Sequence, residues 1–87
     1  MITVQWQGQQ WDDNTAPWVD HERTEADPLV ALQLMGSVVF YENTRPVAWS
    51  SSTADDADYI RGALAKRPYM SGFVQTDRQG AMQGERV

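Results

Sequence analysis

The stretch Thr53-Ala-Asp-Asp-Ala-Asp-Tyr-Ile-Arg-Gly-Ala-Leu-Ala-Lys-Arg-Pro68 leaves the chain little choice but a helix. Thr53 suits the N-cap. Asp55 and Asp56 fall in the first turn, where the helix dipole favours anions, and Lys66 and Arg67 fall in the last. Pro68 stops it. Ala57, Ile60 and Leu64 recur at i, i+3 and i+7, so the helix has one narrow apolar stripe and needs a surface to cover. Gly62 costs about 1 kcal/mol against alanine inside a helix, and its presence predicts a close helix-to-sheet approach. The surface comes from the other end of the chain. Ile2-Thr-Val-Gln-Trp-Gln7 alternates apolar and polar residues, the period of a half-buried strand, with Ile2, Val4 and Trp6 facing inward and Thr3, Gln5 and Gln7 outward.

Between these two anchors the signals vary. Gly8 suits a turn or bulge. Residues 8–26 show no clean period and read as a long connection, of the kind that is functional or carries short structure of its own. Asp27 fits an N-cap, Pro28 the first helical position and Gly36 the left-handed position after a helix, which predicts a short helix over about 28–35. Ser37–Ser51 reads as a hairpin turning at Glu42–Arg45, with Pro46 as the first residue of its second strand. Met70–Thr76 reads as a last strand anchored by Phe73 and Val74. Residues 77–87 are polar and glycine-containing, and are expected to be a frayed tail. The predicted order is β-α-β-β-α-β, an α+β fold of ferredoxin-like type. Its antiparallel sheet would carry both helices on one face, in a single domain over residues 1–76.

With 87 residues there is room for one core only. The absence of cysteine excludes disulfide and thiolate chemistry. The start of the chain lacks the basic and apolar regions of a signal peptide, and no apolar run approaches bilayer length, so a cytoplasmic protein is expected. Catalytic signatures are missing. His21 is the lone histidine, the glycines are scattered, and Asp20-His21-Glu22 reads as a solvated run rather than a metal site. No enzyme activity, cofactor or metal is therefore expected.

Charge is the more informative signal. Residues 1–58 carry ten acids against Arg23 and Arg45, a net −8, while residues 59–87 carry two acids against five bases, a net +3. An acidic field of this kind repels nucleic acid and anionic membrane and attracts basic proteins. The predicted strand order is shared with the RNA-recognition fold, and Trp6 and Trp49 would lie on its central strands. However, the charge has the wrong sign for direct nucleic-acid binding. Trp6 and Trp49 are expected in the core. Trp11 and Trp18 lie in the irregular acidic segment, and two readings stand. Either they pin the long connection onto the sheet, or at least one is an exposed anchor ringed by Asp12, Asp13 and Asp20. Glu22, Glu25, Asp55, Asp56 and Asp58 would extend the same negative, partner-binding surface.

Ser37-Val-Val-Phe-Tyr-Glu-Asn-Thr-Arg-Pro-Val-Ala-Trp49, followed by Ala54-Asp-Asp-Ala-Asp-Tyr-Ile-Arg-Gly62, resembles small acidic phage-encoded anti-CRISPR proteins, which pair a short hairpin with an Asp-rich helix start. The resemblance does not extend to residues 1–36. It implies a DNA-mimic inhibitor that blocks a basic nucleic-acid-binding site of a host complex, with Asp55, Asp56 and Asp58 as the matching positions. The expected protein is therefore a non-enzymatic inhibitor, monomer or homodimer, binding a basic surface of a host nucleic-acid-handling complex. Two alternatives stand beside it: a carbohydrate-binding module stacking sugars on Trp11 and Trp18, and an immunity protein against a nuclease toxin.

Overall fold

The computed structural model describes residues 1–76. Its elements run β1 (Ile2–Gly8), β2 (Val19–Glu25), α1 (Pro28–Phe40), β3 (Thr44–Ser51), α2 (Ala54–Ala65), a single 3-10 turn (Pro68–Met70) and β4 (Val74–Gln75). The sheet order is β2-β1-β3-β4. β1 pairs antiparallel with both β2 and β3, while β4 runs parallel to β3. The α+β class stands as expected. The sheet is mixed rather than antiparallel, and the order is ββαβαβ rather than βαββαβ. The tail assigned to residues 77–87 lies outside the described residues.

Two helices cover one face. Ile2, Val4 and Trp49 from the sheet are buried with Ala31, Leu32, Met35 and Val38 of α1, Ala57 and Ile60 of α2, and Met70 and Phe73. Trp49 is 1% exposed and is the largest fully buried side chain. Each such large apolar side chain contributes about 1.5–3 kcal/mol through burial. Leu64 packs against this cluster at its margin, completing the stripe expected on α2. No helix among the described residues is long and apolar enough to cross a membrane.

The two changes in topology have local causes. Gly36 does not end α1, which continues to Phe40 because Val38 completes a buried helical stripe with Ala31, Leu32 and Met35. The end of α1 is then fastened from outside: the Tyr41 amide donates to the Ser37 carbonyl, and the Thr44 hydroxyl donates to the Val38 carbonyl at 2.7 Å. The segment expected to be the first arm of a hairpin is thus the last turn of a helix. The connection over residues 8–26 in turn contains β2, which pairs with β1 along its full length, from Ile2–Glu25 to Gly8–Val19. Pro46 is the third residue of β3 rather than its first. The register shifts between Gln5 and Trp6 so that Val47 is the extra residue of a β-bulge, and the bulge accommodates the proline's missing N–H. The expected last strand is reduced to Val74–Gln75 because Met70 belongs to the 3-10 turn. Phe73 is buried, but Val74 is exposed.

Candidate functional site

One end of the sheet is built from two loops, residues 9–18 between β1 and β2 and residues 41–43 between α1 and β3. They are tied together by Gln9 and Asn43: the Gln9 amide donates to the Asn43 carbonyl at 2.8 Å, and the Asn43 side-chain amide donates back to the Gln9 carbonyl at 3.2 Å. Within the longer loop the Gln9 side chain also donates to the Ala16 carbonyl. Asp13 accepts from both the Thr15 amide (2.9 Å) and the Thr15 hydroxyl (2.6 Å). The Thr15 hydroxyl above all, and then its amide, hold the Asp13 carboxyl below its ordinary value, so it stays charged.

This loop end presents aromatic rings to solvent. Trp11 is 81% exposed, Phe40 78% and Tyr41 56%. Phe40 and Tyr41 meet edge to face, with ring centroids 5.1 Å apart. Asp12, Asp13 and Glu42 stand beside these rings, and none of the three takes part in an ion pair among the described residues. Trp18 is different. It is half-buried, and the Arg45 guanidinium sits 4.1 Å from its ring centroid, a cation–π contact. Arg45 also donates to Gln7, and Gln7 donates to Asp20 at 2.8 Å, so Trp18, Arg45, Gln7 and Asp20 form one connected row on the outer face. Of the two loop tryptophans, Trp18 is the one that fastens the loop to the sheet and Trp11 the exposed one. A sugar site built on both rings loses one platform face to Arg45.

The remaining expected binding residues do not assemble into one surface. Glu22 lies beside Asp20 along the outer face of β2, held by Gln5 at 3.2 Å. Glu25, at the far end of β2, is on the other face and pairs with Arg23 at 2.6 Å. Asp55, Asp56 and Asp58 start α2 at the opposite end of the molecule. Asp56 accepts from the main-chain nitrogen of Met1 at 3.3 Å and Asp58 pairs with Arg61, so α2 starts beside the first residue of β1, at the end of the sheet away from the two loops. The three carboxylates that carry the resemblance are therefore separated from Trp11, Asp12 and Asp13.

Sequence reasoning missed Phe40, Tyr41 and Glu42, because a strand placed at Ser37–Tyr41 assigns its aromatics to a sheet. The available signal was the apolar spacing. Extending the Ala31, Leu32, Met35 stripe by a helical turn selects Val38 and leaves Phe40 off the stripe. Trp6, expected in the core, is only partly buried and stacks on His21 across the β1–β2 pair, with centroids 5.6 Å apart. Compared with protein-family models, curated proteins and solved structures, the chain matches none.

Proposed function

We propose that this protein is a non-enzymatic binding protein whose loop end docks on a basic surface of a protein partner, of the kind that otherwise receives nucleic acid. The observation that carries this reading is the exposure of Trp11, Phe40 and Tyr41 on one end of the fold, beside Asp12, Asp13 and Glu42. Exposed large aromatics are costly to leave in water and are the residues that anchor interfaces. The carboxylates around them would meet arginine and lysine, and a dense arginine–lysine surface is what a phosphate-binding groove presents. Occupying such a groove displaces its nucleic acid. The inhibitory role implied by the anti-CRISPR resemblance belongs to this proposal, but with the loop end, rather than Asp55, Asp56 and Asp58, as the contacting surface.

The test is affinity capture from a bacterial host lysate with the native protein, Trp11→Ala, and Asp12→Asn/Asp13→Asn. Any retained partner is then purified and its nucleic-acid binding measured with and without the protein. The reading expects Trp11→Ala to lose about 2 kcal/mol of binding. It expects the native complex to weaken as salt rises, and the partner's nucleic-acid binding to fall when the protein is present. A partner held equally by all three proteins, or one whose nucleic-acid binding is untouched, would falsify it.

A further inference from the structure

We infer that the free edge of β2 is a second recognition surface, one that accepts an extended basic segment of another protein as a fifth strand of the sheet. β2 is seven residues long and terminal in the sheet, and among the described residues no strand pairs with its outer edge. Its first six residues are exposed and Glu25 is intermediate. A strand of this length presents a row of open N–H and C=O groups, and main-chain pairing with an added strand supplies affinity, while the side chains select which strand.

The side chains here select for positive charge. Asp20 and Glu22 are two residues apart on the outer face. Each is gripped from the β1 side by one glutamine: Gln7 on Oδ1 of Asp20 and Gln5 on Oε1 of Glu22. The other oxygen of each carboxylate has no partner among the described residues and is free for a donor on the added strand. On the opposite face β2 offers His21, Arg23 and Glu25, with Arg23 and Glu25 already paired. Directly opposed residues of an antiparallel pair share a face. An antiparallel guest therefore places lysine or arginine at two alternate positions, opposite Glu22 and Asp20, and an acid opposite Arg23.

The same pattern discourages a second copy of this chain. Two β2 edges related by a twofold axis through the sheet can pair in registers that differ by steps of two. Centred on Glu22, the pair sets Glu22 against Glu22. Centred on His21, it sets Asp20 against Glu22 on both sides of the axis. Centred on Arg23, it sets Arg23 against Arg23. Like charges directly opposite destabilise a strand pair, so these three registers, the ones that pair the most of β2, are each penalised where a basic guest is favoured.

The experiment is a titration of the full chain with an end-capped heptapeptide, Thr-Thr-Glu-Lys-Thr-Lys-Val, followed by NMR and amide exchange. Binding is expected to slow exchange at alternate amides of Val19–Glu25, those now open to solvent. Asp20→Lys/Glu22→Lys should weaken it by about tenfold. The same variant should gain affinity for a peptide with both lysines replaced by glutamate, and that rescue separates lost recognition from lost folding. Trp11→Ala should bind the lysine peptide as the native chain does, because this surface does not depend on the loop end, so either proposal can fail alone. Three results each overturn the inference: binding with no new protection in β2, equal binding of the lysine and glutamate peptides by the native chain, or protection of those amides in the chain alone through self-association.

Discussion

At Asp13 the loop stores order in a carboxylate that must be charged to work. Its folded value is depressed, so the stabilisation it gives is complete above the ordinary carboxylate value of 3.8 and is lost as pH falls through the lower folded value. A side-chain NMR titration should place the Asp13 midpoint below 3.8. Thr15→Val, which removes the leading hydroxyl donor and keeps the amide, should move that midpoint upward. A midpoint unchanged by the substitution would mean the hydroxyl contact is not what holds the charge. Gly72 presents a steric rather than an electrostatic constraint. A Cβ there would lie 2.6 Å from Cγ of Pro46, a ring atom that cannot rotate aside. Gly72→Ala should therefore cost about 1–3 kcal/mol in urea unfolding. Most of that cost should disappear when the same change is made in a Pro46→Ala background, because the clash is with that ring alone; equal cost in both backgrounds would rule this account out.

Among the elements, legibility followed burial. β1 alternates because Ile2 and Val4 pack beneath the helices while Thr3, Gln5 and Gln7 carry the polar ladder of the other face, and α2 shows its stripe because Ala57, Ile60 and Leu64 pack on the same core. β2 carries no such record. Along Val19-Asp-His-Glu-Arg-Thr-Glu25 six residues are exposed and only Glu25 is partly covered, so neither face is buried, and a strand without a buried face has no pattern to display. α1 was legible at its start, where the Asp27 side chain does accept from the Leu29 amide, and misread at its end. There Gly36, Val38 and Val39 favour a stop and a strand locally, but the core takes Val38 as a helical residue. The two mid-helix glycines follow from this. Nothing lies within 4 Å of a Cβ built on Gly36 or Gly62, so Gly62 does not mark the close approach expected of it. Both substitutions to alanine should then stabilise the protein, each by about 0.5–1 kcal/mol in denaturant unfolding. Destabilisation by either would show that the helix needs the glycine after all.

For the molecule as a whole, the net charge of residues 1–58 is less telling than where the fold sends it. Asp56 accepts from the Met1 main-chain nitrogen and Asp58 pairs with Arg61 at one end, while at the other Asp12, Asp13 and Glu42 take part in no ion pair among the described residues. Of the aromatics on or near the central strands, Trp49 on β3 is sealed beneath the helices, its outer neighbours Thr3, Ala48 and Ser50 are small and buried, and Trp18 on the outer face is covered on one side by Arg45, which makes a poor platform for stacking bases. What that outer face carries instead is a cross-strand ladder, Thr3–Thr24, Gln5–Glu22 and Gln7–Asp20, running up to the open edge. An edge of this length should associate with its own copies unless something opposes it, and mutual repulsion of Asp20 and Glu22 would oppose it in the registers centred on Glu22 and on His21. Removing the charge while keeping the shape therefore tests the whole arrangement. Asp20→Asn/Glu22→Gln should leave the helical circular dichroism unchanged and should shift the protein toward dimers in sedimentation equilibrium as concentration rises, with exchange protection appearing along β2. Raised salt should push the native chain weakly in the same direction, since screening acts on exposed charges over about 10 Å at 0.1 M. A variant that stays as monomeric as its parent under both conditions would mean that something other than these two carboxylates keeps the edge open.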